Sequence, residues 1–213
     1  MPNWTINTIR TKKKGILSAF INEEGDFNYL IPMPWELDMD SGTVTDHAIA
    51  YYITKRLTIP YDKTNLHELI SNGFSENWSK QVTEGLTKRI KEDPDYYTPQ
   101  MLDNLYEMGK QYLSNLTKYG HYNWYDWCCD KGNTKWNACR TDFDASRPTK
   151  VRFETAWDAP IPIFQKLCEL FPKEQIKFRC EYYEVGVLEE YINDHGCLLL
   201  TKKKDVEFDE DYF

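Results

Sequence analysis

A chain of 213 residues is long enough to bury one core and carry an insertion, and its net charge of −8 argues against a general affinity for a phosphate backbone. A mean hydropathy of −0.68 beside 15% aromatic residues requires a core built largely from rings, which excludes disorder over the whole chain. No apolar run approaches the ~18 residues of a membrane helix, and the opening MPNWTINTIR lacks the apolar stretch of an export signal, so a cytoplasmic protein with no membrane partner is expected.

In chain order, NWTINTIR (3–10) alternates Trp4, Ile6 and Ile9 loosely with polar residues and predicts a strand. FNYLIP (27–32), closed by Pro32 and Pro34, predicts a second strand of the same sheet. Helix patterns then take over. TDHAIAYYITKRL (45–57) and TNLHELISNG (64–73) predict two helices. ENWSKQVTEGLTKRIK (76–91), capped by Ser75, repeats Trp78, Val82, Leu86 and Ile90 every four residues. Thr98 and Pro99 open a longer helix whose stripe of Leu102, Leu105, Tyr112, Leu113 and Leu116 ends before Gly120. KVRFETAW (150–157) returns to strand, Asp158 is placed to cap a helix over APIPIFQKLCELFP (159–172), and IKFRCEYYE (176–184) and VLEEYIND (187–194) form a hairpin through Gly186. Strand, helix, strand, strand is half of a ferredoxin-like sandwich that the N-terminal strands complete. The expected fold is α+β, a ferredoxin-like antiparallel sheet over 1–44 and 119–204 with a helical insertion over 45–118 and an acidic tail over 205–213.

The densest chemistry lies in YGHYNWYDWCCDKGNTKWNA (119–138). A metal site there would recruit His121, Cys128, Cys129 and Cys139, but vicinal cysteines point apart and no C-x-x-C pair occurs, so neither metal nor cofactor is expected. The six cysteines read as reduced thiols, with Cys168 and Cys180 as small core residues. Asp126, His121, Cys128 and Lys135 supply acid, base and nucleophile types without a catalytic spacing, so no enzyme is expected. Trp124 and Trp127, three apart, cannot share one strand face, which predicts an irregular loop folded over the sheet with Trp157 beside it. The alternative is a stacking platform for single-stranded nucleic acid made of Trp124, Trp127 and Trp136, although the neighbouring charges are mixed rather than basic. His47, His67 and His195 read as solvated or turn residues, and the runs Lys12 to Lys14 and Lys202 to Lys204 as charges guarding strand ends.

Four motifs in order resemble one family. MPNWTINTI is similar to an opening Met-Pro-Asn-Trp strand, LIPMPWEL to a Pro-x-Pro segment, YGHYNWYDWCCDKGNTKW to a Tyr-Gly, Trp-Tyr-Asp-Trp, Thr-Lys-Trp signature, and VRFETAWDAPIPIFQKLCELFP to a Phe-x-Thr-Ala-Trp strand leading into a Pro-led helix. Together they resemble the YubB-type ferredoxin-like proteins of bacteriophages and conjugative plasmids, with the insertion outside the match. The family usually has Trp-Gly-Thr-Lys-Trp where this chain has Gly132, Asn133, Thr134, Lys135 and Trp136. The resemblance implies a ferredoxin-like fold and a mobile-element setting rather than a reaction.

Half of the thirty-four acidic residues fall in three stretches free of Lys and Arg. Such surface repels phosphate and attracts basic proteins. With the implied setting, the expected function is a non-enzymatic inhibitor that binds a basic, nucleic-acid-handling host defence protein, a CRISPR effector or restriction enzyme. Glu36, Asp38 and Asp40 after the second predicted strand, and Glu189, Glu190 and Asp194 on the hairpin, are its expected partner-binding residues.

Overall fold

The computed structural model describes residues 3–19, 25–58, 76–143 and 148–207. The chain forms two compact units, Met1–Met33 with Trp127–Phe213, and Pro34–Asp126. The first holds a six-stranded antiparallel sheet of β1 (Trp4–Thr11), β2 (Cys139–Phe143), β3 (Lys150–Ala156), β4 (Ile176–Tyr182), β5 (Val187–Asp194) and β6 (Cys197–Asp205), in the order β2-β3-β1-β4-β5-β6. β3 and β4 both run antiparallel to β1, which lies between them, and one helix connects them. This split β-α-β arrangement is ferredoxin-like, and the fold is α+β.

Strand alternation decides which side chains turn towards the helix, while Ile6, Thr8 and Leu188 are buried on the opposite face. Thr5, Asn7, Ile9 and Thr11 of β1 turn to the helix-bearing face, where Ile9, Val151, Phe153, Ile176, Phe178 and Cys180 form one apolar cluster. The connecting helix (Ile161–Leu170) covers that cluster with Ile163, Phe164, Leu167 and Cys168, and Phe164 stacks on Phe178 at 4.6 Å between ring centres. The helix starts later than the sequence suggests. Pro160 takes the cap position without a side-chain bond, while Asp158 Oδ1 accepts only the N–H of Ala159. Asn7 is tolerated in the core because its amide donates to Thr5 O and Thr155 Oγ1.

The strand predicted over 27–32 is a short 3-10 helix, Phe27–Tyr29. Asp26 Oδ1 accepts the N–H of Asn28 and Asn28 Oδ1 accepts that of Met33, so side chains take the donors a strand ladder needs. Phe27 and Leu30, three apart, then turn inward together. Two strands went unpredicted. β2 is short and bulged, and β6 carries the Lys202 to Lys204 run on an otherwise apolar stretch.

The described part of the second unit is helical: α1 (Thr43–Ile53), α2 (Glu76–Glu92) and α3 (Pro99–Tyr119), which makes the helix of the first unit α4. Thr98 caps α3 by accepting the N–H of Met101, and Gly120 closes it at φ 76°. Ala48, Ile49, Leu86, Leu105 and Tyr112 form its core. Gly109 lets α1 and α3 touch, since a Cβ there would lie 2.1 Å from Ala48 O. The helix predicted over 64–73 lies outside the described residues.

Candidate nucleic-acid interface

The sheet face turned away from α4 is assembled by register. Residues directly opposite each other in an antiparallel pair share a face, and rows on that face repeat every two residues, about 7 Å apart. Arg10 stands between Lys150 and Lys177. In the next row Thr8 stands between Arg152 and Arg179, and the row continues through Glu190 to Lys202. Ile6 follows between Glu154 and Glu181, continuing through Leu188 to Lys204, and Trp4 ends the series opposite Ala156. Seven cations therefore share a face with four carboxylates, those of Asp142, Glu154, Glu181 and Glu190.

Three of those acids are already matched. Glu181 accepts Arg179 at 2.6 Å, Glu190 lies 3.7 Å from Arg179 and 3.9 Å from Lys202, and Glu154 pairs with Arg140. Arg10, Lys150, Arg152, Lys177 and Lys204 enter no ion pair among the described residues. A recess of about 300 Å³ opens between Thr8, Arg10, Lys177, Arg179, Glu190 and Thr201.

The Trp4 end of this face carries rings and cations in alternation. Trp4 and Trp136 lie 6.3 Å apart, centre to centre. The Lys135 ammonium sits 4.4 Å from the Trp136 ring centre and 5.6 Å from that of Trp157, and the Arg140 guanidinium lies 4.9 Å from that of Trp4. Local backbone features aim each group. Arg140 occupies a β2 bulge, at φ 47°, where the register against β3 shifts. Asn133, left-handed at φ 57°, donates its amide to Ala159 O, and the buried Thr134 hydroxyl donates to Ala156 O, so Lys135 and Trp136 follow from an anchored turn. Trp157 is held at φ 74°, a strained conformation for so large a side chain, with its N–H donating to Asn3 O at 2.7 Å, and it remains 45% exposed. Rings presented beside cations can stack bases and balance phosphate charge.

Of the three rings expected to form a stacking platform, Trp124, Trp127 and Trp136, one belongs to this cluster, Trp136, and it is joined by Trp157 and Trp4. Trp124 lies in the helical unit, edge-on to Tyr125 at 5.8 Å, and Trp127 begins the second segment of the sheet unit with the Lys131 ammonium 5.8 Å from its ring centre. No local pattern links Trp4 or Arg140 to Trp136; pairing of β3 with β1 and β2 does. Asp126 and His121 fall in one unit, Cys128 and Lys135 in the other. Burial pushes the Cys128 thiol up to about 11, which leaves it protonated and a poor nucleophile.

The six acids separate in the same way: Glu36, Asp38 and Asp40 lie in the helical unit, and Glu189, Glu190 and Asp194 in the sheet unit. Glu36 is held below the usual carboxylate range by hydrogen bonds from Lys118 Nζ at 3.0 Å and Tyr119 Oη at 2.8 Å. Asp38 and Asp40 are exposed. Glu189 is only 8% exposed, on the α4 face of the sheet, and accepts from Lys203 Nζ at 2.7 Å, Tyr191 Oη at 2.5 Å and Tyr182 Oη at 3.1 Å. Burial pushes its pKa up, but these three donors together bring it below the ordinary value. Glu190 is divided between two cations, and Asp194 lies 2.7 Å from His195 Nδ1.

Comparison with known proteins bears on the sheet unit. Residues 133–211 match the family described as the ferredoxin-like domain in Api92-like protein. The match is to that family and not specifically to the YubB-type proteins that the motifs resemble. No curated protein matches the chain. Among solved structures, the chain is similar to a protein api92 from Yersinia pseudotuberculosis, with 10% identity, a TM-score of 0.43, and coverage of 98% of this chain and 99% of that one. Thus the sheet unit has a ferredoxin-like fold, and residues 133–211 within it are similar to the Api92-like ferredoxin-like domain.

Proposed function

We propose that the sheet unit is a non-catalytic module that binds single-stranded nucleic acid on its open face. The observation that supports this most is the ring and cation cluster of Trp4, Arg140, Trp136, Lys135 and Trp157, continuous with a face where Arg10, Lys150, Arg152, Lys177 and Lys204 stand outside ion pairs against one such carboxylate, Asp142, among the described residues. The net charge of −8 belongs to the whole chain, whereas a ligand meets a local face. Fluorescence anisotropy of labelled single-stranded DNA and RNA at low and high salt is the test. Salt-sensitive binding that weakens in Trp136→Ala and Lys135→Ala is expected, and no binding at low salt overturns the proposal.

A second function rests on a different observation. Trp35 is 81% exposed on a 3-10 turn, Trp35–Leu37, that is otherwise firmly fixed. Leu37 is fully buried, and Asn115 donates its amide to Glu36 O at 2.8 Å. An exposed tryptophan on an anchored turn, flanked by the exposed Asp38 and Asp40, suits a basic protein surface with an apolar pocket. In the phage or plasmid setting that the motifs imply, that partner is a host CRISPR effector or restriction enzyme. Reversal of Asp38 and Asp40 to Lys, with Trp35→Ala, then abolishes protection in a nuclease assay; undiminished protection removes this function.

A further inference from the structure

We infer that the open face grips its ligand at two ends, stacking a base among the rings at Trp4 and holding phosphates on the Lys150, Arg10 and Lys177 row, so that it takes an extended single strand of about four nucleotides or more. This rests on the nucleic-acid function proposed above and adds the placement and length of the ligand.

The row itself is the first ground. Lys150 and Lys177 both stand directly opposite Arg10, all three are exposed, and none enters an ion pair among the described residues. Like charges directly opposite each other destabilise a sheet. A chain that needed only solubility would alternate the signs, as it does between Arg179, Glu190 and Lys202 one row away. The uncompensated row is therefore suited to an anion that arrives from outside, and the recess that Arg10 and Lys177 line, with Glu190 on its far side, gives such an anion two cations outside ion pairs.

Charge order along β1 is the second ground. Starting from Arg10, the rows are cationic at Arg10, mixed but mainly cationic at Thr8, acidic on both sides of Ile6, and aromatic at Trp4. Glu154 and Glu181 are each matched by an arginine and add no attraction for phosphate, while Trp136 and the 45% exposed Trp157 offer flat apolar area to a base. The row of unpaired cations and the rings thus lie at opposite ends.

Distance sets the length. Six residues separate Trp4 from Arg10, about 20 Å of strand. A short oligonucleotide reaches one end only; one that spans both gains from tethering, since the second contact becomes intramolecular. Duplex DNA, with its bases stacked inside, offers the rings nothing and reaches only the cations.

Oligothymidylates of about two to about eight nucleotides, titrated into the full chain while tryptophan fluorescence and anisotropy are followed, test this directly. The expected result is an affinity that rises at least about tenfold between two and five nucleotides and then levels, with weaker binding of an eight-base-pair duplex. Arg10→Ala with Lys177→Ala should keep tryptophan quenching by the short oligomers, lose the rise with length, and melt no lower than the wild type because repulsion has been removed. A length dependence absent in the wild type, undiminished in the double variant, or matched by the duplex overturns the two-ended grip and leaves single-strand binding standing. No quenching by the eight-nucleotide strand at low salt overturns that function and the grip with it.

Discussion

The two faces of the six-stranded sheet solve opposite problems with the same strands. The face under α4 is apolar and closed, with Ile9, Phe153, Phe164 and Phe178 fully or almost fully buried, and Glu189, a buried carboxylate on it, receives three donors. The opposite face leaves Arg10, Lys150 and Lys177 side by side in water. β1 is buried on both sides at its centre, Ile6 and Thr8 included, so the two faces can be perturbed separately only at its exposed Arg10 and at the exposed lysines of its neighbours.

The largest effect is expected on the closed face. Phe164→Ala should cost about 3–5 kcal/mol in chemical denaturation, because its ring stacks on Phe178 and no neighbour can fill the space. Next comes Glu189→Ala at about 1–3 kcal/mol, since Tyr182, Tyr191 and Lys203 lose their common acceptor. The folded pKa of Glu189 lies below its ordinary value, so the stability it contributes is present at and above the ordinary carboxylate range and is lost as pH falls through the lowered value. Glu189→Gln should accordingly flatten the acid limb of a stability profile, and an unchanged limb would break the distinction between a paired and an unpaired face.

On the open face the order reverses. Trp136→Ala should weaken oligonucleotide binding by about 1–3 kcal/mol while costing less stability than Phe164→Ala, because the ring is 37% exposed. The smallest stability effect belongs to Arg10→Ala: a gain of a few tenths of a kcal/mol from relieved repulsion, measured by thermal melting, together with a shallower salt dependence of binding. A loss of stability there would show that the cation row is structural.

Much of this architecture is legible in the sequence, for local reasons. Thr98, Pro99 and Gly120 mark both ends of α3, alternation marks β4, and β-branched and aromatic residues mark β1 and β5. The segment 27–32 misleads because a short apolar run fits strand or turn equally, and Asp26 and Asn28 decide between them by capping. β2 is bulged at Arg140 and β6 ends in lysines, so neither shows a clean period of two. The open face is harder still. Its cations come from Arg10, Lys150, Arg152, Lys177, Arg179, Lys202 and Lys204, at most two on any strand, each followed by a residue that turns the other way. Counting charge along the chain dilutes them among acids; register alone collects them.

The account stands on the open face being the nucleic-acid interface, and nuclear magnetic resonance of the ¹⁵N-labelled full chain during titration with an eight-nucleotide single strand tests that most directly. The indole N–H signals of Trp4, Trp136 and Trp157 and the backbone amides of β1, β3 and β4 are predicted to shift in a salt-sensitive manner, while the indole of Trp35 stays in place. Saturation without movement of those three indoles, or shifts confined to Trp35 and its acidic turn, would contradict it.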